Sequence, residues 1–277
     1  MKKLLSILLI TVLLLSLLVS CGKSDKITIA VPNDSTNEAR ALELLEVQGL
    51  ITLNETGDAL ATARDIKDNP YGIEIKEVEA AQIPNVLQDV TYAVINSNYA
   101  IEAGLTPFIT EGTDVSFPNI IAVKEGTENS DLAKALVAAI NSTDVKDYIE
   151  SNYKGAIVCD LENVTDGFDQ TVNYDELKGQ TIKIAASPVP HTDILKVAKD
   201  VLSKKDITLE IVEFTDYVQP NNVVEEGEFF ANFFQHIPYL ENFNEENGTH
   251  LISILKVHHE PMGIYSDKYD SLDDIKK

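Results

Sequence analysis

The segment TIKIAASPVPHTDILKVAKDVL, residues 181–202, carries the pattern that decides the fold. Alternating apolar residues over 181–186 predict a β-strand, and apolar positions three and four apart predict a helix over 190–204. A second unit of this kind, KITIAVPNDSTNEARALELLEVQGL, occupies residues 26–50. The chain therefore contains two units of strand, turn and helix that each resemble the start of a domain.

The same alternation continues around both openings. Further strands are predicted in segments rich in β-branched and aromatic residues: 73–78, 92–100 (a strand that runs into a helix), 117–126, 207–214, 229–235 and 250–266. Helices are predicted over 35–50, 80–89, near 219–227, over 238–247, and twice within 129–153. Ser35 or Thr36, Ser130, and Ser142 or Thr143 are the predicted helix caps, and Gly49 is predicted to end the first helix. This rhythm predicts an α/β protein with mainly parallel sheets flanked by helices.

The first 25 residues predict export and a lipid anchor. Lys2 and Lys3 precede a long apolar run, which is typical of a signal peptide over residues 1–20. The run ends in LLVSC, a bacterial lipoprotein pattern that predicts lipid attachment at Cys21, with 21–25 as a polar tether. We expect a protein held on the extracytoplasmic face of the cell membrane by this anchor alone; an uncleaved membrane anchor with a free thiol is the alternative.

Charge and cysteine content argue against a nucleic-acid partner and against an internal disulfide. The chain has 22 basic and 45 acidic residues, a net charge of −23, and such a surface is repelled by nucleic acid. Cys159 is the only cysteine besides Cys21, so no disulfide is expected within the mature body, where Cys159 is expected to be buried or half-buried.

Several long stretches resemble a known family. They include IAVPNDSTNEARALELLE, YAVINSNYAIEAGL, SPVPHTDILKVAKDVL, FFANFFQHIPYLENFNEENGT and VHHEPMGIYSDKYDSLDDI. They are similar to the NlpA/MetQ family of methionine-binding lipoproteins, the substrate-binding subunits of ABC importers for methionine. The resemblance covers nearly all of 26–158 and 180–277, but in the family the second of these segments comes first. We interpret the order as a circular permutation in which residues 159–179, part of a polar linker predicted to end in one helical turn, join the family's original ends; a misassembled or engineered reading frame is the alternative.

The resemblance implies a two-lobe periplasmic-binding-protein fold, similar to type II, in permuted chain order. The first lobe is expected at 25–118 together with 259–277, and the second at 119–258. Two segments near 116–122 and 257–265 are expected to cross between the lobes. The C-terminal tail should then pack back onto the first lobe.

The polar side of a ligand site is predicted after two strands of the first lobe. Asn37 and Arg40 lie at a helix N-terminus, where free N–H groups favour an anion such as a ligand carboxylate. From the residues alone, Arg40 either binds such an anion or forms a surface ion pair; the resemblance implies the ligand. Asn96 and Asn98, placed on one face by strand alternation, offer amide groups to the ligand's ammonium or carboxylate.

The resemblance places the apolar side of the site in the second lobe. Tyr217, Phe234, His236 and Tyr239 match family positions around the ligand side chain, where aromatic edges suit a thioether. At least two of the four phenylalanines between 229 and 234 are expected in the core. From the residues alone, His236 is favoured as a structural histidine, and His191 either lines the cleft or caps a helix.

Metal binding and catalysis are not expected. The candidate metal ligands are His258, His259 and Glu260, together with His191 and His236. His258 and His259 are adjacent on a predicted strand and point to opposite faces, so they cannot easily share one ion. No nucleophile elbow, P-loop or zinc spacing is present in the sequence. The prediction is a cofactor-free binding protein that is not an enzyme.

The predicted function is to bind L-methionine between the lobes and deliver it to the permease and ATPase of an ABC importer. The alternatives are another small apolar amino acid, D-methionine, a methionine dipeptide, or a surface lipoprotein without a transport role.

Overall fold

A computed structural model describes residues 26–57, 59–112 and 117–276 of the 277-residue chain. The signal peptide, Cys21 and the tether predicted for residues 1–25 lie outside the described residues. Among the residues that are described, no helix is long and apolar enough to cross a membrane.

Strands and helices alternate along most of the described chain. The strands are β1 Thr28–Pro32, β2 Thr52–Leu53, β3 Ile66–Asp68, β4 Glu74–Val78, β5 Tyr92–Ile95, β6 Ile109–Thr110, β7 Pro118–Lys124, β8 Val158–Cys159, β9 Thr181–Ala186, β10 Thr208–Glu213, β11 Ala231–His236, β12 Leu251–His259 and β13 Gly263–Tyr265. The α-helices are α1 Ser35–Val47, α2 Ile83–Val86, α3 Ser97–Glu102, α4 Asp131–Ile140, α5 Thr143–Asn152, α6 Tyr174–Leu177, α7 Asp193–Ser203, α8 Gln219–Glu225 and α9 Ile237–Asn247. A π-helical turn at Pro188–Thr192 precedes α7.

The fold consists of two α/β lobes, each built on one sheet. The first lobe contains the five-stranded sheet β4-β1-β5-β13-β6, and the second contains the six-stranded sheet β10-β9-β11-β7-β12-β8. The predicted α/β class is therefore confirmed, but the sheets are mixed and not mainly parallel. In the first lobe β1 pairs in parallel with β4 and β5, while β13 runs antiparallel to β5 and β6.

Two of the antiparallel strands, β7 and β13, reach their sheets through the connections between the lobes. β7 enters the second sheet from the first lobe and pairs antiparallel with β11 and β12. β13 enters the first sheet from the second lobe. A strand that arrives by a crossing, and not by a helical crossover within its own sheet, is free to run antiparallel.

Two observations bear on the predicted lobe boundaries. The chain passes between the sheets after β6 and again over the three residues between β12 and β13. The tail does pack onto the first lobe, where Leu272 and Ile275 join a buried cluster with Ile29 and Leu42. The predicted boundaries at 118/119 and 258/259 each fall one residue inside a strand of the second sheet, β7 and β12 respectively, and they remain a prediction.

The segment predicted as a linker, 159–179, is packed against the second lobe. Leu161, Val172 and Leu177 are buried in the same cluster as Val201 of α7. The segment ends in the single helical turn α6, as predicted. Cys159 at its start is half-buried, and burial raises the pKa of its thiol.

The helix caps follow the sequence with one correction. The hydroxyls of Ser130 and Ser142 accept hydrogen bonds at the starts of α4 and α5. The cap of α1 is Asp34 and neither Ser35 nor Thr36, because the Asp34 carboxylate accepts from the backbone N–H of Asn37. Gly49 follows α1 with φ of +71°, a conformation that glycine adopts without strain.

Candidate functional site

A narrow cavity lies between the lobes, beyond the carboxyl ends of β1, β5 and β11. Its empty space, including the part open to solvent, is about 350 Å³. The carboxyl ends of parallel strands are where open α/β sheets bind ligands. The lining residues are Asn37, Arg40, Asn96, Ser97, Asn98, Asn119, Tyr217, Phe234, Gln235, His236, Tyr239 and Glu260.

The structure brings all eight predicted ligand residues to this one cavity. The sequence predictions missed Ser97, Asn119, Gln235 and Glu260, which also line it. Of these, Ser97 and Gln235 adjoin predicted residues along the chain, so sequence proximity was a usable signal. Glu260 lies in the predicted crossing, but the predictions treated it only as a possible metal ligand.

Asp34 fixes the geometry at the start of α1. Its Oδ1 accepts from the backbone N–H of Asn37 at 3.0 Å and from Asn37 Nδ2 at 2.9 Å. The Asn37 amide is thereby held so that its Oδ1 accepts from Asn96 Nδ2 at 2.8 Å. Burial raises the pKa of Asp34, although the hydrogen bonds from Asn37 and Thr36 oppose that rise.

Arg40 forms a buried ion pair that the sequence did not reveal. Its Nε donates to both carboxylate oxygens of Glu111, at 2.9 and 3.0 Å, and its Nη2 donates to Glu111 Oε2 at 2.6 Å. The side chains of the two residues are 5% and 7% exposed. The ion pair considered as the alternative therefore exists, but it is buried and does not lie at the surface. Nη2 also donates to the main-chain oxygen of Glu260 at 2.7 Å. Nη1 makes no hydrogen bond with the described residues and remains available to an anion.

Asn96 and Asn98 keep unused hydrogen-bonding atoms at the cavity. Asn96 Oδ1 and Asn98 Nδ2 are buried and have no partner among the described residues. One is an acceptor and the other a donor, so together they suit an ammonium and a carboxylate. The reason given from the sequence was wrong: β5 ends at Ile95, and the two residues lie at the start of α3, not on one strand face.

The second lobe contributes an aromatic wall of Tyr217, Phe234 and Tyr239. The Phe234 ring lies 5.8 Å from the Tyr217 ring and 5.9 Å from the Tyr239 ring, centroid to centroid. β11 has a register shift between Phe233 and Gln235, so Phe234 is the extra residue of a bulge. A bulge redirects a side chain, and here Phe233 packs in the core while Phe234 lines the cavity.

His236 is both a structural histidine and a cavity residue. Its Nδ1 accepts from the backbone N–H of Tyr239 at 3.1 Å, and its Nε2 lies 3.3 Å from Asn37 Oδ1. An accepting Nδ1 requires the neutral tautomer with the proton on Nε2. Burial, reinforced by the charge of Arg40, holds the pKa of His236 well below its usual value.

Direct hydrogen bonds join the second lobe to the first at the aromatic wall and beside it. The Tyr217 hydroxyl donates to Asn98 Oδ1 at 2.6 Å, and the Tyr99 hydroxyl donates to the Thr215 carbonyl at 3.1 Å. Burial raises the pKa of Tyr217 well above its usual value, so this hydroxyl is a donor at neutral pH. The lobes are therefore held closed around the cavity.

A buried cluster of His191, His258 and Glu260 lies beside the cavity. Glu260 Oε1 accepts from His258 Nε2 at 2.8 Å and lies 3.5 Å from His191 Nε2, which also contacts Asn119 Oδ1 at 2.9 Å. Burial lowers the pKa of His191 to about 3. His191 therefore neither lines the cavity nor caps a helix through its side chain; it fills the interior behind Asn119.

These three residues could hold a metal ion by distance alone, since their ligand atoms lie within 4.8 Å of one another. The Nδ1 atoms of both histidines have no partner among the described residues, whereas metal-bound histidines usually donate their second N–H to a carboxylate or carbonyl. The set therefore fits a hydrogen-bonded cluster better than a metal centre. As predicted, His259 faces away from His258, and its Nδ1 lies 3.0 Å from the Asp160 carboxylate.

Comparisons with known proteins identify relatives over parts of the chain. A curated relative, outer membrane lipoprotein 3 of Mannheimia haemolytica, is 42% identical over 135 residues, which are 47% of this chain and 51% of that protein. A probable D-methionine-binding lipoprotein MetQ of Pasteurella multocida is 36% identical over 138 residues, 48% of this chain and 50% of that protein. The chain thus spans about half the length of the curated relatives it matches.

Among solved structures, a nutrient-binding protein from Burkholderia cenocepacia bound to methionine is 42% identical, with a TM-score of 0.45. The match covers 48% of this chain and 59% of that one. A family model described as NlpA lipoprotein matches residues 23–160 and 182–277, which is most of the chain. The protein therefore belongs to the NlpA lipoprotein family.

Proposed function

We propose that this chain is the substrate-binding lipoprotein of an ABC importer and that it binds L-methionine between its lobes. The observation that carries the proposal is the pairing of two walls around one cavity. The polar wall presents Arg40 Nη1, Asn96 Oδ1 and Asn98 Nδ2, whose hydrogen-bonding capacity the described residues do not use. Burying polar atoms without partners is costly, so a polar ligand would repay that cost.

The apolar wall supports a ligand with an unbranched, sulfur-containing side chain. Three rings border the cavity, and a thioether packs favourably against ring edges. The cavity is narrow, which favours a small ligand over a peptide. Several curated relatives are named as D-methionine-binding lipoproteins, so a methionine ligand agrees with the family, and stereochemistry is a point for experiment.

Titration calorimetry and thermal unfolding with L-methionine, D-methionine, leucine and methionylglycine test the ligand. We expect the largest rise in melting temperature with L-methionine, because a ligand that binds only the folded state stabilises it. A larger shift with D-methionine would reverse the stereochemical assignment. If none of these compounds shifts the transition, a surface lipoprotein without a transport role becomes the better description.

Lipid attachment at Cys21 and delivery to a permease complete the proposal. Its support is the LLVSC pattern and relatives that are named lipoproteins. Labelling cells with a palmitate analogue should mark the wild-type protein and not Cys21→Ser, which should leave the membrane fraction. Methionine uptake by the cognate permease and ATPase should require the wild-type protein; uptake that is independent of it would contradict the role.

We also propose that the order of the two halves is circularly permuted. The family match in two separate segments and the half-length matches to relatives support this. So does the packing of Leu272 and Ile275 onto the first lobe beside Ile29. A variant with residues 180–277 placed before 26–158 should bind methionine with the same affinity as the wild type; failure of that variant to fold would contradict the proposal.

A further inference from the structure

Glu260 carries the one carboxylate among the described residues that line the cavity. Its side chain is 6% exposed, so the charge is nearly buried. A buried carboxylate is retained at a cost unless it is paired or hydrogen-bonded. Its position at the cavity therefore calls for a partner.

The protein satisfies only one of its two oxygens. Oε1 accepts from His258 Nε2 at 2.8 Å and lies 3.5 Å from His191 Nε2. Oε2 takes no hydrogen bond from the described residues. Burial raises the pKa of this carboxyl, but the His258 hydrogen bond and the nearby positive charge outweigh burial and leave the pKa below its usual value.

The carboxylate is also adjacent to the cation of the site. Arg40 Nη2 donates to the main-chain oxygen of Glu260 at 2.7 Å, so a guanidinium and a carboxylate border the same small space. An α-amino acid carries its ammonium and carboxylate on one carbon and needs opposite partners side by side. Asn96 Oδ1, an unpaired acceptor, adds a second partner for an ammonium.

We propose that Glu260 Oε2 receives the α-ammonium of the ligand, with His258 holding the carboxylate in position, and that the site therefore selects free α-amino acids. This inference rests on the proposed function and deepens it. N-acetylmethionine lacks the charge, and a methionine dipeptide separates its amine from its carboxylate by a peptide unit. Both should be rejected, because a site built to pair a charged group discriminates strongly against analogues that leave it unpaired.

The test compares methionine with 4-(methylthio)butanoate, which is methionine without its amino group. Calorimetry on the wild type should give at least 100-fold weaker binding of the deaminated analogue and no detectable binding of N-acetylmethionine. Glu260→Gln should weaken methionine binding at least 30-fold while changing the affinity for the deaminated analogue less than threefold. The glutamine amide still offers an oxygen to His258 Nε2, so the fold should survive, and thermal unfolding checks this.

Glu210→Gln is the matched control, because it removes the same charge from an exposed position on β10 and should alter neither affinity. Equal weakening of both ligands by Glu260→Gln, or no weakening of methionine, would overturn the inference while leaving the proposed function intact. If the wild type binds no free amino acid at all, both the function and the inference are wrong. If Glu260→Gln unfolds, Glu260→Asp replaces it, because it keeps the charge and shortens the side chain. Its affinity for methionine should fall more than its affinity for the deaminated analogue. An equal fall for both ligands would again overturn the inference.

Discussion

The two walls of the cavity differ in how completely the protein satisfies them. On the first-lobe wall, Asn96 Oδ1 and Asn98 Nδ2 are buried without partners among the described residues. On the second-lobe wall, the Tyr217 hydroxyl donates to Asn98 Oδ1 and the Tyr239 hydroxyl donates to the Tyr217 carbonyl. The first wall has hydrogen-bonding capacity left for a ligand, while the second is complete and contributes shape.

Because of this difference, we expect the first-lobe wall to discriminate between ligands more strongly than the second-lobe wall. Unpaired buried polar atoms reward a ligand that matches them and penalise one that does not. A ring-lined wall discriminates less strongly, because one methylene in an apolar pocket changes binding by only about 1–3 kcal/mol. We therefore expect changes on the polar wall to have the larger effects.

The largest effect is expected from Arg40. Arg40→Ala alone would leave Glu111 buried without its partner, at a cost of about 3–5 kcal/mol, so the double variant Arg40→Gln with Glu111→Gln is the better test. Methionine affinity should fall at least 100-fold, which is about 2.7 kcal/mol. Calorimetry measures this, and Arg64→Gln, at the exposed Arg64, is the control. Undiminished affinity in the double variant would remove Arg40 from the site.

On the aromatic wall, Phe234→Ala should weaken methionine binding about tenfold, or about 1.4 kcal/mol, since part of the apolar contact is lost. Phe230→Ala is the control, because Phe230 is on the same segment but packs against the second-lobe core. Calorimetry should show a loss of affinity in the first variant only. Similar losses in both would point to general destabilisation, not to the cavity.

Acid should weaken the second lobe through its buried histidines. The pKa of His191 is lowered to about 3 by burial, and that of His236 is also lowered. Below about pH 6.5 the histidines of the unfolded chain bind protons that those of the folded state do not. Lowering the pH from 6.5 to 5.5 should therefore reduce the free energy of unfolding by about 1 kcal/mol per histidine. Urea unfolding at pH 7.5, 6.5 and 5.5 measures this; a midpoint independent of pH would contradict buried neutral histidines.

The smallest effect is expected where the walls meet. Tyr217→Phe removes the hydroxyl that donates to Asn98 Oδ1 across the cleft but keeps the ring. The loss of one hydrogen bond of about 1 kcal/mol should weaken methionine binding about fivefold. Tyr269→Phe is the control at a more exposed ring. An affinity equal to that of the wild type would show that this bond does not hold the closed state.

Much of the fold was readable from local pattern. Most strand and helix positions, the caps Ser130 and Ser142, and the helical turn that ends the 159–179 segment depend on residues a few positions apart, and these are confirmed. The short strands β2, β3, β6 and β8 were not predicted. Strand direction was not readable in this way. β7 and β13 run antiparallel because of the lobe from which each arrives, and no local pattern encodes that.

The candidate site likewise has features that the sequence predicted and features that only the structure revealed. The sequence, with its family resemblance, named eight side chains that the structure brings to one cavity, because each follows a strand or a helix start whose position is local information. Only the tertiary structure paired Arg40 with Glu111, 71 residues away, set Glu260 beside His191, and turned Phe234 inward at a bulge. Those pairings depend on which segments meet when two lobes close, and long-range contacts of that kind leave no mark in the local order of residues.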